Sequence, residues 1–185
     1  MILASEAASS VQFARHYKTE SGTIGMAVSI RGARISDAEG IAELTSQLGY
    51  EVDVPTVVER LTRILLRSDQ QFMIAEFDGR LGGWVHAVIS EYIESERLVM
   101  IAGLVVDKNH RKKGIGRTLM EHAERWAKEQ GCSIVRLSSS SNRTTAHRFY
   151  EVLGYTNIKT QYSFIKSLDA TQQQDIRKFV PKVYE

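Results

Sequence analysis

The strongest constraint on the fold is an apolar run that leads through a basic, glycine-containing turn into an amphipathic helix. The run "LVMIAGLVV" ends at Val106 and is followed by "DKNHRKKGIGRTL". The helix that follows carries apolar residues at helical spacing: Ile115, Leu119, Ala123, Trp126 and Ala127. Gly131 ends that helix, and "CSIVRLSSS" has the composition of the next strand. A strand, helix and strand in this order predict a parallel βαβ unit.

The segment before this unit predicts a strand and two helices. The strand starts near Ser29, and Ser36 with Glu39 predicts a capping box that opens a helix through about Leu48. Pro55 suits the first turn of a second helix, whose apolar residues again recur at helical spacing.

The remaining pattern predicts a hairpin and a closing region. Asp78-Gly79 joins two strand-like runs, and a further strand runs from about Leu98 to Asp107. Residues 143–153 predict another helix, "YTNIKTQYSFIKSL" one or two closing strands, and "TQQQDIRKFV" a short terminal helix. The whole predicts an α/β fold with a mixed central sheet flanked by helices, in which an antiparallel meander leads into the parallel βαβ unit.

Length and composition predict one globular domain of a cytoplasmic protein. The 185 residues are 43% apolar and 25% charged. We assign residues 1–28 to an N-terminal extension that packs on a neighbour, 29–168 to the domain and 169–185 to a tail. The one cysteine, Cys132, allows no intrachain disulfide and no cysteine-built zinc site, and no metal site is predicted. The longest apolar run is too short to span a bilayer and the N-terminus does not resemble a secretory signal, so we expect no membrane association.

The basic turn allows three interpretations. The formal net charge of +2 argues against a whole surface adapted to a polyanion, so any attraction for phosphate is local. The spacing Arg111-x-x-Gly114-x-Gly116 matches neither the triphosphatase loop nor the dinucleotide fingerprint. A solvated turn, a nucleic-acid patch and a phosphate site at a helix N-terminus all remain open at this point.

Two motifs together resemble the GNAT superfamily of Gcn5-related N-acetyltransferases. "GLVVDKNHRKKGIGRTLMEHAERWAKEQGC" is similar to that family's acetyl-CoA-binding motif, and "AHRFYEVLGY" downstream is similar to its second motif. "DGRLGGWV" resembles the hairpin before the cofactor strand. The resemblance extends over about residues 29–167, and the pattern looks like bacterial small-molecule N-acetyltransferases, among them the aminoglycoside-modifying group.

The resemblance implies acetyl-CoA as cosubstrate and a set of residues that bind it. The turn would bind the pyrophosphate, and the preceding strand would pair with the pantetheine arm and supply an oxyanion donor from Val105 or Val106. The implied cofactor-binding residues are Leu104, Val105, Val106, Arg111, Lys112, Lys113, Gly114, Ile115, Gly116, Arg117, Thr118, Asn142, Arg143 and Tyr150. Many family members have an Asn three residues before the position of Ala146, whereas this chain has Arg143 there and Asn142 one residue earlier, so which of the two contacts the cofactor is open.

The resemblance also implies catalytic roles. Tyr150 matches the tyrosine that protonates the departing CoA thiolate. Some members carry a base on the cofactor strand where this chain has Met100. The alternative bases are Glu94, Glu96, Glu91 and His86, and a neutral, well-placed amine would need none.

The implied reaction is direct attack of an amine on acetyl-CoA in a ternary complex. The segments expected to contact the acceptor are acidic, which predicts a cationic small molecule; their carboxylates are Glu51, Asp53, Glu91, Glu94 and Glu96. The alternatives are a protein-lysine acetyltransferase, a catalytically silent acyl-CoA-binding regulator and a nucleic-acid-binding module, the last being disfavoured. A homodimer is also expected from the resemblance.

Overall fold

A computed structural model describes residues 13–15 and 28–168, which form six strands and four helices. The strands are β1 (Phe13–Arg15), β2 (Val28–Gly32), β3 (Gln70–Phe77), β4 (Arg80–Tyr92), β5 (Ser95–Val106) and β6 (Val135–Leu137). The helices are α1 (Ala38–Ser46), α2 (Val54–Leu65), α3 (Ile115–Glu129) and α4 (Thr144–Val152).

One sheet runs through the molecule in the order β1-β2-β3-β4-β5-β6. Each neighbouring pair is antiparallel except β5 and β6, which are parallel and are connected through α3. The predicted mixed sheet with a parallel βαβ unit is therefore confirmed. The two parallel strands pair only from Val99 with Val135 to Ile101 with Leu137. Beyond Ile101, β5 continues to Val106 without β6 beside it.

Two apolar cores cover the two faces of this sheet. Helices α1 and α2 pack on one face against Phe72, Ile74 and Trp84. Helix α3 packs on the other face, where Leu119 and Met120 are fully buried. Because successive side chains of a strand point to opposite faces, each central strand contributes to both cores.

Two adjacent glycines on β4 let α3 lie directly on the sheet. A Cβ at Gly83 would stand 2.6 Å from the Val105 carbonyl oxygen and 3.3 Å from the Ile115 side chain. A Cβ at Gly82 would meet Ile115 at 3.1 Å. The absence of these two side chains therefore fixes how closely the first turn of α3 approaches β4.

Several local predictions are confirmed. Asp78 and Gly79 have φ angles of 53° and 69°, as a tight hairpin turn requires. Pro55 lies in the first turn of α2, which Asp53 caps by accepting a hydrogen bond from the Thr56 amide at 2.7 Å. Gly131 has a φ angle of 73° just after α3.

The predicted capping box at the start of α1 is wrong. A short 3-10 turn precedes the helix, and Asp37 accepts a hydrogen bond from the Arg34 amide at 2.7 Å. The same carboxylate forms a bidentate ion pair with Arg31 on β2, at 2.7 Å for each bond. Asp37 therefore closes the 3-10 turn before α1 and fastens it to the sheet, and Ser36 and Glu39 form no capping box.

The sheet differs from the prediction at both ends. β1 lies within the predicted N-terminal extension and pairs with β2 of the same chain. The segment of residues 156–168, expected to supply closing strands, pairs with none of the described residues. The predicted terminal helix at 171–180 lies outside the described residues. None of the helices in the described part of the chain is both long and apolar enough to cross a membrane.

Candidate active site

The turn between β5 and α3 presents an uncapped helix N-terminus. Gly114 precedes the first residue of α3 with a φ angle of 81°, and no side chain caps the helix there. The first intrahelical bond is donated by the Thr118 amide to the Gly114 carbonyl at 3.0 Å. The amides of residues 115–117 therefore have no intrahelical acceptor, and together with the helix dipole they favour an anion.

The second glycine of the turn serves packing. A Cβ at Gly116 would stand 3.1 Å from the Phe149 ring and 3.4 Å from the Val106 side chain. Phe149 belongs to α4, so the close approach at Gly116 brings α4 against the turn and against the end of β5. The two glycines thus have different tasks: Gly114 provides the left-handed backbone and Gly116 the contact with α4.

A residue at the end of α1, in the layer formed by α1 and α2, also holds the turn in place. The sequence alone did not point to this residue. Gln47, which ends α1, donates to Asp107 Oδ2 at 3.1 Å and accepts from the Lys108 amide at 2.9 Å. Asp107 Oδ1 accepts from the Asn109 amide at 2.7 Å. Burial acts to raise the pKa of Asp107, but the hydrogen bonds from Gln47 and Asn109 outweigh it and lower the pKa. No local sequence signal indicates Gln47, because its partners lie sixty residues away.

The basic side chains of the turn are not equivalent. Lys113 Nζ lies 4.9 Å from the centre of the Phe77 ring, so this cation is engaged by an aromatic face. Arg111 and Lys112 are exposed, and Arg117 is half-buried. Thr118 is buried and its hydroxyl donates to the Gly114 carbonyl at 3.2 Å. The basic side chains therefore lie mostly at the solvent-exposed rim of the turn.

On the side away from β4, the end of β5 is an edge with which no described residue pairs, here called the free edge. The Asp107 amide donates to the Gly82 carbonyl at 2.9 Å, on the β4 side. Because backbone groups alternate in direction along a strand, the Val105 amide also points to β4, whereas those of Leu104 and Val106 point to the free edge. The resemblance left either Val105 or Val106 as the oxyanion donor. The direction of the two amides favours Val106, because its amide points to the free edge.

Tyr150 on α4 has a hydroxyl without a hydrogen bond to any described residue. Its ring lies 5.2 Å from that of Phe149 and 6.0 Å from that of Tyr155. Burial raises the pKa of Tyr150, and the charge of Arg143 acts in the opposite direction. The net pKa is raised, so the phenol is protonated at neutral pH and can donate a proton.

The two residues before α4 lie at the surface. Arg143 immediately precedes α4 and is exposed, and its charge acts on Tyr150. Asn142, one residue earlier, is exposed as well.

His86 lies on β4 opposite Gly103 of β5, next to an irregularity in the pairing of these strands. Its Nε2 is 2.9 Å from Gln70 Oε1, which is an acceptor, so Nε2 carries the proton and Nδ1 the lone pair. Burial lowers the pKa of His86. The ring faces the α1 and α2 side, where Phe72 lies 5.4 Å away. His86 is therefore a neutral imidazole beside the last part of β5.

The carboxylates proposed as bases lie elsewhere. Glu94 is in the turn that joins β4 and β5. Glu96 is at the start of β5, where it accepts a hydrogen bond from Ser133 at 3.2 Å. Leu104 is eight residues further along the strand, a distance of about 26 Å at the usual rise per residue. Glu91 lies 3.2 Å from Arg97 in an ion pair. The structure does not bring these carboxylates to the glycine turn.

A surface depression of about 330 Å³ lies at the end of α2 and includes Gln70, the hydrogen-bond partner of His86. It is lined by Arg60, Arg63, Ile64, Arg67 and Gln70. Two of the arginines have acidic partners in the protein, Glu59 for Arg63 and Asp69 for Arg67. Three arginines against these two carboxylates leave the depression weakly basic, and Gln70 links it to His86.

Residues 39–155 match the acetyltransferase (GNAT) family. An uncharacterized N-acetyltransferase of Bacillus subtilis is 30% identical over 114 residues, which cover 61% of this chain and 80% of that protein. An aminoalkylphosphonate N-acetyltransferase of Salmonella typhimurium is 26% identical over 141 residues, which cover 75% of this chain and 90% of that protein. The crystal structure of an aminoglycoside N-acetyltransferase with CoA superposes with a TM-score of 0.70 at 23% identity, covering 77% of this chain and 96% of that one. The chain belongs to the GNAT family and is an acetyl-CoA-dependent N-acetyltransferase.

Proposed function

We propose that the enzyme transfers the acetyl group directly from acetyl-CoA to a primary amine of a small molecule in a ternary complex. The observation that carries this proposal is the contact of α4 with the turn, where the Phe149 ring, next to Tyr150, would stand 3.1 Å from a Cβ at Gly116. The uncapped N-terminus of α3, the free edge of β5 and the Tyr150 hydroxyl supply the groups that the reaction needs. Cys132, the one thiol of the chain, is buried, which supports direct attack over an acyl-enzyme route.

In this reaction the amine lone pair attacks the thioester carbonyl carbon and the carbon–sulfur bond breaks. The amine nitrogen loses a proton, and the departing thiolate gains one from Tyr150. The amides of Leu104 and Val106 are suited to the pantetheine arm and to the oxygen that becomes negatively charged, because both point to the free edge of β5. The turn before α3 holds the pyrophosphate.

His86 is the proposed acceptor of the amine proton. It lies opposite Gly103, one strand from the proposed thioester position, and its Nδ1 carries a lone pair at neutral pH. A water molecule can complete the path from the amine to Nδ1. The carboxylates of Glu94 and Glu96 are less suited, because they lie at the opposite end of β5.

The acceptor is proposed to be a cationic small molecule. Acidic residues at the loop between α1 and α2 support this: Glu51 lies in that loop and Asp53 caps α2, and both are exposed. Glu91, Glu94 and Glu96 contribute less, because they lie at the end of β4 and β5 that is away from the glycine turn.

A second class of acceptor is favoured by the depression at the end of α2. Its arginines would attract a carboxylate or phosphonate carried by the same molecule as the reacting amine. A relative named for aminoalkylphosphonates lends support to this class. The two classes differ in the charge of the group that accompanies the amine.

The test is release of free CoA with a panel of amines that contains an aminoglycoside, a polyamine, a lysine peptide, an aminoalkylphosphonate and a neutral alkylamine. Turnover confined to the first two supports the cationic acceptor, and turnover confined to the aminoalkylphosphonate supports the second class. Arg60→Glu should lower kcat/KM for the aminoalkylphosphonate only. Turnover confined to the neutral amine contradicts both.

The same panel tests the alternative of a silent regulator. Acetyl-CoA binding without release of CoA on any amine would favour that alternative, whereas release that Tyr150→Phe abolishes favours the enzyme. We also place the reaction in the cytoplasm, because acetyl-CoA is a metabolite of the cell interior and the chain carries a single, buried cysteine.

A further inference from the structure

Ser139 has a buried hydroxyl without a hydrogen bond. Its Oγ atom is enclosed by protein and has no hydrogen-bond partner among the described residues. A buried hydroxyl that lacks a partner has lost its hydration and gained nothing in exchange, so it lowers the free energy of unfolding. Such groups are few in folded proteins, and each calls for an explanation other than packing. A binding role supplies that explanation if Ser139 lies where a ligand binds.

The register of the parallel strands places Ser139 in the same row as His86 and Gly103. β5 and β6 pair with a fixed offset, and their last pair is Ile101 with Leu137. Two residues further on, the same offset brings Ser139 level with Gly103, which pairs with His86 on its other side. β6 has ended by then, so no pairing joins Ser139 to Gly103. The space between the free edge of β5 and residues 138–140 is here called the β5 gap.

The backbone beside Ser139 is fixed by the turn that leads into α4. The Ser140 carbonyl accepts hydrogen bonds from the Arg143 amide at 3.0 Å and from His147 Nε2 at 2.9 Å. His147 belongs to α4, the helix that carries Tyr150. Ser139 therefore lies between β6 and the helix of the proposed acid, on a backbone that is held at its next residue.

The proposed course of acetyl-CoA leads its acyl end toward Ser139. The pyrophosphate is proposed at the turn that follows Val106, and the pantetheine arm along the free edge of β5. The acyl group is at the other end of that arm, so it would lie deeper in the β5 gap, toward Gly103 and the irregularity in the pairing of β4 with β5. Gly103 and Ser139 are level with each other at that depth.

We propose that the Ser139 hydroxyl donates a hydrogen bond to the acetyl carbonyl oxygen of acetyl-CoA. This inference rests on the proposed position of the pantetheine arm. The amides of Leu104 and Val106 point into the β5 gap from one side, and Ser139 supplies a donor from the other side. The hydroxyl has no bond to lose and the residue is only half-buried, so rotation about the Cα–Cβ bond brings Oγ to the gap.

The first experiment measures Tm of the chain without ligand. Ser139→Ala removes a buried hydroxyl that has no partner, so its Tm should equal or exceed that of the wild type. Ser138→Ala changes the exposed neighbouring serine and is the control, with an expected Tm equal to that of the wild type. A Tm for Ser139→Ala below both of these would show that the hydroxyl serves the fold, and would overturn the proposal.

The second experiment measures the Kd of two ligands by calorimetry, without an amine. They are acetyl-CoA and S-ethyl-CoA, which has a methylene group in place of the carbonyl. The wild type should prefer acetyl-CoA, and Ser139→Ala should reduce that preference about fivefold, as the loss of one hydrogen bond predicts. Ser138→Ala should keep the full preference. Ser139→Cys, which has a weaker donor at the same place, should lie between the wild type and Ser139→Ala.

Three results of the second experiment would overturn the proposal. They are an unchanged preference in Ser139→Ala, an equal loss of affinity for both ligands in that variant, and a wild type that binds the two ligands equally. Failure of the proposed cosubstrate site has a different signature, because Gly114→Ala would then leave the Kd of both ligands unchanged. A reduced preference in Ser139→Ala together with an unreduced Tm supports the hydrogen bond to the carbonyl.

Discussion

The hydroxyl groups of Tyr150 and Tyr155 have different surroundings, although their rings lie 6.0 Å apart. That of Tyr155 is bonded to Glu124 at 2.8 Å, and that of Tyr150 has no described partner. At the scale of single residues, the Tyr150 hydroxyl is therefore available for chemistry, whereas the Tyr155 hydroxyl holds α3 to the chain that follows α4. The two tyrosines can be compared by the same substitution, Tyr to Phe.

We expect Tyr150→Phe to lower kcat about 100-fold, because loss of a general acid typically costs 10²–10⁴-fold. The Kd for acetyl-CoA should change little, since the phenyl ring remains. Steady-state kinetics and calorimetry measure the two quantities. Tyr155→Phe is the control: it should lose about 1–2 kcal/mol of unfolding free energy with kcat near that of the wild type. A normal kcat in Tyr150→Phe would contradict the proposed acid.

His86 leads to a prediction about pH. Burial lowers its pKa below the usual value of about 6.5, so the ring is neutral at pH 7 and becomes protonated only as the pH falls through the lowered pKa. The wild-type kcat/KM should therefore decline in that acidic range, and His86→Gln should lose this limb and be less active at pH 7. His122, also with a pKa lowered mainly by burial but located on α3, provides the control, because His122→Gln should retain the limb.

Gly114 and Lys112 distinguish backbone from side-chain binding of the pyrophosphate. Gly114→Ala would place a Cβ at a φ angle of 81°, which costs about 1–2 kcal/mol and should raise the Kd for CoA about tenfold. Lys112 already adopts a φ angle of 63° with a side chain, so Lys112→Ala removes charge without new backbone strain and should have a smaller effect. Isothermal titration of both variants gives the ranking, and the reverse order would favour the lysine as the main contact.

At the scale of elements, the turn before α3 depends on a helix in the opposite layer. Gln47→Leu removes both hydrogen bonds from α1 to residues 107 and 108. We expect a several-fold weaker affinity for CoA, about 1 kcal/mol for the pair of bonds, with kcat less affected at saturating cosubstrate. Ser46→Ala is the control, because Ser46 bonds only within α1, to the Glu43 carbonyl. Equal CoA affinities in the two variants would mean that the turn holds its shape without Gln47.

Elements with a strong local signal could be predicted from the sequence. The tight turn at Asp78-Gly79, the helix that starts at Pro55 and the apolar stripe of α3 each arise from neighbouring residues. The start of α1 could not be predicted, because it depends on an ion pair between Asp37 and Arg31, which lies on β2.

The site divides in a similar way. The glycine turn and Tyr150 could be proposed as site residues from the sequence, because a contiguous motif carries each of them. The proposed base could not be selected from sequence, because the position of His86 opposite Gly103 depends on strand register and on an irregularity near it. Gln47 gave no signal, because a glutamine at the end of a helix is ordinary until its distant partners are known.

At the scale of the whole molecule, charge and ligand stabilisation separate an acetyltransferase from a nucleic-acid-binding protein. The net charge of +2 is near balance. Acetyl-CoA at about 100 times its Kd should add about 2.7 kcal/mol to the unfolding free energy and raise Tm. Duplex DNA at low salt should leave Tm unchanged, and its binding, if any, should disappear at moderate salt. A larger rise of Tm with DNA than with acetyl-CoA would contradict the local character of the basic turn.

The link from Gln47 to the turn has a thermodynamic consequence. α1 leads into the loop that contains Glu51, part of the proposed acceptor site, whereas the turn is the proposed pyrophosphate site, so the Gln47 bonds would connect the two sites. If acetyl-CoA changes acceptor affinity by some factor, the acceptor must change acetyl-CoA affinity by the same factor. Each ligand would then change the binding of the other equally, whichever binds first, and a chain that lacks Gln47 would bind its two ligands independently.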